Sequence, residues 1–319
     1  MTRPAAPVRP DLDVDRTTIL DVLSFVRPHG SEGEAEFVAK YLAPLNPTVV
    51  GQEGLPLAYI VSTAEPTDAP YLFSSHTDTV HRLEHGKHQL VNYDPKTDTA
   101  SSAAHQPLGA DDAAGMWLML EMIKANVPGT YVFHRAEEVG GIGSDYMAKH
   151  YCEYLAQFRM AVAFDRRGTC DVITHQGYGR CASDAFAEAL ADALNDLGLL
   201  YMPSDGGVFT DTANYTELIP ECTNVSCGYD REHTAAETLD IGHLIAMRDA
   251  LVQLDWSALP IKRDPKDAED GWVGRGSWAT GYEDNTLADL YVMTRNELAT
   301  FAYEDPDSFA DLVYELINA

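Results

Sequence analysis

Tyr71-Leu72-Phe73-Ser74-Ser75-His76-Thr77-Asp78 is a short apolar, β-favouring run that ends in a metal-ligand type of side chain. Such a run, without alternation of polar residues, reads as a strand buried on both faces. It delivers His76 to the edge of a sheet. The pattern recurs along the chain: Thr130–Arg135 leads to Glu137-Glu138, Met160–Phe164 to Asp165, and Thr223–Cys227 towards His233. Helical periodicity lies between these runs, at Ala113–Lys124, Ser144–Tyr154, Ala185–Leu197 and Ile241–Leu254. Strand and helix in alternation predict an α/β fold, a mostly parallel mixed β-sheet flanked by helices on both faces. In open sheets of this kind, sites are built in the crevice beyond the carboxyl ends of the strands.

Outward from this core, amphipathic helices are predicted at Thr17–Val26 and Glu32–Leu45, the second after a Gly30-Ser31 cap signal. Strands are predicted at Val49–Val50 and Ala58–Ser62. His81–Pro107 reads as a long polar loop, and Thr169–Thr174 with Arg180–Ala182 as a short antiparallel pair. The expected organisation is a flexible tail over 1–15, one domain over 16–259, and an acidic, mostly helical extension over 260–319. Helices are predicted in that extension at Leu287–Phe301 and Pro306–Ile317.

Composition narrows the function. With 22 Lys+Arg against 50 Asp+Glu, the formal net charge is −28, which repels nucleic acid and anionic membrane surfaces and suits cation binding. No apolar run approaches the roughly 18 residues that span a bilayer. Five cysteines without a Cys-x-x-Cys pair favour free thiols in a reducing compartment, and the expected location is cytoplasmic. Cys222 and Cys227 are near enough to be bridged, but free thiols are the expectation.

Five segments carry ligand-type side chains in order: Ser75-His76-Thr77-Asp78, Gly109-Ala110-Asp111-Asp112, Ala136-Glu137-Glu138, Phe164-Asp165-Arg166 and Glu232-His233-Thr234. Imidazole and carboxylate hold zinc and related divalent ions. A ligating imidazole needs its second nitrogen held, and Asp78 is well placed to orient His76. A helix cap explains one acid before Ala113 but not two, so Asp111 is expected to bridge two metals and Asp112 to be the cap or a supporting partner. The pair Glu137-Glu138 suggests division of labour, one carboxylate ligating and the other acting as general base. Asp165 could instead be the partner of Arg166 or Arg167, and His233 alone could be structural.

In this order the segments resemble the co-catalytic di-zinc metallopeptidases of the M28 and M20 kind, tripeptidase-like or leucine-aminopeptidase-like, over about residues 20–255. The resemblance implies a zinc exopeptidase (phosphorylase/hydrolase-like) fold and two divalent cations, Zn2+ first, with Co2+ or Mn2+ as other options. It also implies His76 and Asp165 on one metal, Glu138 and His233 on the other, Asp111 bridging, Glu137 as general base and Asp78 orienting His76. The Asp111–Asp112 peptide is expected to be cis. Ala113 stands where many M20 relatives have Lys. Only 68 positions (233 − 165) separate Asp165 from His233 and 35 (111 − 76) separate His76 from Asp111, so no inserted lid domain is expected.

Tyr229 is a candidate oxyanion donor, and the loop Asp205–Asp211 resembles the family's substrate loop, with Asp211 a candidate substrate contact. His81, His85 and His88 read as a solvated loop. The expected activity is that of an aminopeptidase or di/tripeptidase acting on small peptides, in a chain that could form a homo-oligomer. The alternatives are an N-acyl amino acid deacylase, favoured by a pocket arginine such as Arg180 or Arg231, a glutaminyl cyclase, or a non-catalytic homologue.

Overall fold

The computed structural model describes residues 13–266, apart from 53 and 177–178. Helix α1 (Val14–Leu23) is capped by Asp13, whose carboxylate accepts from the Arg16 amide, so it begins inside the segment expected to be a tail. Helix α2 (Glu32–Phe37) is capped by Ser31 and continues as a π turn, Val38–Leu42, and a 3-10 turn, Ala43–Leu45. Strands β1 (Thr48–Gln52), β2 (Leu55–Ser62) and β3 (Tyr71–His76) follow, then β4 (Val91–Asp94) and β5 (Thr99–Ser102). Next come α3 (Ala110–Lys124), β6 (Thr130–His134), α4 (Ile142–His150), α5 (Cys152–Leu155) and β7 (Met160–Arg166). Short strands β8 (Asp171–Ile173), β9 (His175–Gln176) and β10 (Gly179–Arg180) precede α6 (Asp184–Asp196) and β11 (Met202–Ser204). The series closes with β12 (Glu221–Ser226), β13 (Tyr229–Asp230), β14 (Thr238–Asp240) and α7 (Ile241–Gln253).

The main sheet has eight strands in the order β1-β2-β6-β3-β7-β12-β8-β11. Its centre, β6-β3-β7-β12, is parallel, with His76 opposite His134 and Ser74 opposite Ala163, so the carboxyl ends of four strands meet at one edge. Strand β2 runs antiparallel to β6, which makes the sheet mixed. Successive residues on the central strands point to opposite faces, and both faces are buried. Phe73, Tyr131, Phe133, Val162 and Phe164 pack with α1, α3, α6 and α7, whereas Leu72, Val132 and Ala161 pack with Met147, Leu155 and Tyr215. This double coverage is why the runs lack polar alternation.

Two segments differ from expectation. His81–Pro107 is not a plain loop: β4 and β5 lie in a second sheet, β13-β14-β5-β4, held by backbone pairing that their polar sequence does not advertise. The stretch after Thr169 does not form the expected hairpin. Strand β8 pairs in parallel with β11, and the hairpin is the smaller β9–β10 pair. Cys222 and Cys227 are buried free thiols. Among the described residues, no helix is long and apolar enough to cross a membrane. The helices predicted beyond residue 266 lie outside the described residues.

Candidate metal centre and active-site cleft

Strand β3 brings His76 to the carboxyl edge almost wholly buried, at 1% exposure. Its Nδ1 lies 3.0 Å from the Asp78 carbonyl oxygen. A carbonyl only accepts, so Nδ1 carries the proton and Nε2 turns towards the cleft. Nε2 is 3.1 Å from Asp111 Oδ1 and 3.6 Å from Asp165 Oδ1. Asp78 therefore orients His76 mainly through its main chain, its carboxylate standing 3.7 Å from Nδ1. That carboxylate accepts from the amides of Glu137 and Glu138, each at 3.2 Å, and so fixes the backbone of the acid pair.

The peptide between Asp111 and Asp112 is cis. The two carboxylates have different environments. Asp112 accepts from the Ser75 hydroxyl, from the His76 amide at 3.2 Å and from the Gly115 amide at 2.9 Å, so both its oxygens are taken by the protein. Asp111 presents one oxygen to each histidine: Oδ1 to His76, and Oδ2 to His233 Nε2 at 3.1 Å. Helix α3 can lie this close to β7 because residue 115 is glycine; a Cβ there would sit 2.1 Å from the Phe164 carbonyl oxygen.

On the far side, His233 Nε2 is 3.3 Å from Glu138 Oε2, and the other Glu138 oxygen is buried without a hydrogen-bond partner. His233 and Ala136, next to Glu137, both hold positive φ, at 62° and 64°. Non-glycine residues in this region concentrate at functional sites. Glu137 Oε2 is 4.0 Å from His76 Nε2. Asp165 is held by the Thr210 hydroxyl at 2.7 Å and the Tyr229 hydroxyl at 3.1 Å, not by Arg166 or Arg167.

So many carboxylates at one point disfavour their own ionisation. Burial pushes Glu137 well above the usual carboxylate range, Glu138 up to about 7 and Asp165 up to about 6. Asp111 is pushed up by burial too, but hydrogen bonds from His233 and His76 outweigh this and hold it low. Its hydrogen bonds to the Asp111 and Glu138 carboxylates in turn draw the His233 imidazole up to about 11. Protons drawn to the imidazoles are the positive charge this acid cluster demands. Divalent cations meet the same demand through the same donors, and the orphan Glu138 oxygen is one ready ligand. The atoms of His76, Asp111 and Glu138, and of His76, Asp112 and Asp165, lie within 4.8 Å of one another. In the second group both Asp112 oxygens already accept hydrogen bonds from the protein.

The centre opens into a cleft of about 360 Å3, whose walls include the apolar Val80, Ile173, Val208 and Phe209, and Arg166 and Arg167. These arginines stand where Arg180 or Arg231 were expected. Arg180 is outside the cleft lining and donates to Asp184 at 2.7 Å, and Arg231 is an exposed neighbour of Asp230. Asp211 does not face substrate either. It is 1% exposed and pairs with His134 at 3.2 Å, while its neighbour Thr210 reaches Asp165. The sequence signalled the loop but not which side of it turned inward. Tyr229 lines the cleft, with its hydroxyl committed to Asp165. His88 is exposed as expected, His85 is half-buried, and His81 is buried at 4% exposure. Ser75, Thr210 and Asn224, whose amide nitrogen donates to the Asp165 carbonyl, were not legible as site residues, because Ser, Thr and Asn occur everywhere.

Fold and donor set define a metal-dependent hydrolase of the zinc-exopeptidase architecture. The sequence matches the model of Peptidase family M28 over residues 58–240, and the chain belongs to that family, as a metal-dependent exopeptidase. No curated protein is significantly similar to it in sequence. Among solved structures it is similar to aminopeptidase PepT from Bacillus cereus ATCC 10987, with a TM-score of 0.60 at 15% identity, over 75% of this chain and 96% of that one. A tripeptidase from Staphylococcus aureus subsp. aureus Mu50 gives the same values: TM-score 0.60, 15% identity, 75% and 96% coverage. A TET1 peptidase from Pyrococcus horikoshii, which can assemble into a tetrahedron or a large octahedral shell, has a TM-score of 0.51 at 15% identity, over 74% and 99% of the chains. At these identities the likeness establishes the fold.

Proposed function

We propose that the chain is an aminopeptidase or di/tripeptidase. His76 and Asp165 would hold one divalent cation, Glu138 and His233 a second, and Asp111 would bridge them. The observation that carries this reading is the Asp111 carboxylate, with one oxygen 3.1 Å from each histidine. When bound, such cations polarise a scissile carbonyl and lower the pKa of an attacking water; zinc is the proposed pair, with cobalt or manganese as substitutes. Glu137 takes the proton of that water and returns it to the leaving amine. Asp78 holds the Glu137 and Glu138 amides, which fixes the backbone that carries the base. The apolar wall at Ile173, Val208 and Phe209 shelters a side chain of the substrate from water.

Arg166 and Arg167 favour a second reading, deacylation of N-acyl amino acids, because guanidinium groups recognise carboxylates. Both arginines are already paired, Arg166 with Asp171 at 3.0 Å and Arg167 with Glu232 at 3.2 Å, which is why peptide hydrolysis is preferred. A cytoplasmic location and self-association belong to the same proposal, supported by the free cysteines and by the assembling relative.

The test is Glu137→Gln with metal content measured alongside turnover of a mixed panel of di- and tripeptides and N-acyl amino acids. Loss of a general base costs about 10²- to 10⁴-fold in kcat with both metals retained. Turnover of the wild type on acylated substrates alone would replace the peptidase reading. A metal-loaded Glu137→Gln variant as active as the wild type would remove Glu137 from the chemistry.

A further inference from the structure

We infer that Glu237 is a positioning residue that sets the bridging carboxylate in place before any metal arrives. Helix α3 starts at Ala110 after Gly109, which has φ of 71° and no side chain, and its buried first turn departs from helical geometry at Asp111 and Asp112. An acid more than a hundred positions away accepts from the amides of this turn and of the residues before it. Glu237 Oε2 accepts from the amides of Leu108 and Gly109 at 2.9 and 3.0 Å, and Oε1 accepts from the amide of Asp111 at 3.1 Å. Glu237 is 1% exposed, so water does not compete for these bonds.

The second end of this tether is equally fixed. Glu237 follows His233 by four positions and leads directly into β14, which is hydrogen-bonded to β5 through Thr238, Leu239 and Asp240. One carboxylate therefore locks the loop carrying the bridging ligand to the loop carrying the last one. The separation of Asp111 Oδ2 from His233 Nε2 depends on this connection. Hydrogen bonds of a carboxylate to three amides are charge-assisted, and groups that orient metal ligands commonly change metal affinity 10- to 100-fold. A glutamine in the same place presents an NH2 group to at least one amide that needs an acceptor.

The inference rests on the proposed metal centre, and its test is chosen to be separable from it. Zn2+ affinity is measured by competition with a chelating indicator for wild type, Glu237→Gln and Glu237→Asp, with kcat and KM taken at saturating Zn2+. Expected for Glu237→Gln is Zn2+ binding at least 10-fold weaker and a fall in kcat with KM little changed. Glu237→Asp, which keeps the charge but is one methylene short, should lie between. A folded Glu237→Gln protein with wild-type Zn2+ affinity and kcat overturns the inference. If the variants do not fold, amide exchange on the wild type decides. Protection of Leu108, Gly109 and Asp111 should persist after the metal is stripped, and its loss would show that the metal, not Glu237, organises the loop. A wild type that binds no divalent ion fails the functional proposal instead.

Discussion

His81 offers a quantitative test of how the loop beside the centre is held. Its Nε2 donates to the Pro107 carbonyl at 2.9 Å, which leaves Nδ1 to accept from the Thr79 hydroxyl at 2.8 Å. The bond accepted by Nδ1 requires the neutral ring, and Thr79 in turn accepts from the Arg27 amide at 3.2 Å. Burial, with the Arg27 charge adding to it, lowers the His81 pKa from 6.5 to about 4. A pKa depressed in the folded state means that the unfolded chain takes up the proton first. The stability from His81 is therefore complete above pH 6.5, declines as pH falls from 6.5 to 4, and changes no further below that. The full depression corresponds to about 3 kcal/mol, of which about 2 kcal/mol is lost by pH 5. Urea unfolding at pH 7 and pH 5 reads this once the titration of other groups is cancelled by comparison with His81→Gln. Wild type should lose about 2 kcal/mol more than the variant between the two pH values. Parallel losses would refute the buried, neutral histidine and return His81 to the solvent-facing loop that the sequence suggested.

Tyr229→Phe separates two roles for that hydroxyl. If it only holds Asp165, Zn2+ affinity should weaken about 10-fold with kcat at saturating metal almost unchanged; an oxyanion donor would instead cost about 10²- to 10³-fold in kcat. Gly115→Ala should destabilise the protein by about 3 kcal/mol in urea unfolding, because the new methyl would lie 2.1 Å from the Phe164 oxygen and 2.5 Å from Asp112. Zn2+ at about a hundred times its Kd should raise stability by roughly 2.7 kcal/mol per site over the chelator-treated protein, and an unchanged melting temperature would contradict metal binding to the folded state.

Arg27 shows how much of the site's surroundings only the fold could reveal. It is fully buried, its guanidinium lies 4.4 Å from the centre of the Phe37 ring, and its three nitrogens have no hydrogen-bond partner among the described residues. Burial lowers its pKa to about 10, while Asp112, Asp78, Glu34 and Asp111 oppose the shift and keep it charged at neutral pH. Nothing in Val26-Arg27-Pro28 distinguishes this cation from a surface one.

The sequence by itself determined the central strands, the doubly covered sheet and the order of the five ligand segments. It could do so because apolar runs and helical periods are local properties, and because a strand end fixes where the next residue must emerge. Adjacent acids such as Asp111-Asp112 and Glu137-Glu138 were legible for the same reason: repelling charges side by side demand an explanation within a few residues. The tertiary structure alone decided the hydrogen-bond partners of each of these side chains. Asp112 is consumed by Ser75, His76 and Gly115, Thr210 rather than Asp211 reaches Asp165, and Glu237 reaches back across the chain to the Asp111 loop. Apart from the Gly115 bond, these are hydrogen bonds between residues far apart in sequence. Their partners are chosen by the packing of strand ends and loops at one edge, and no local pattern encodes that choice.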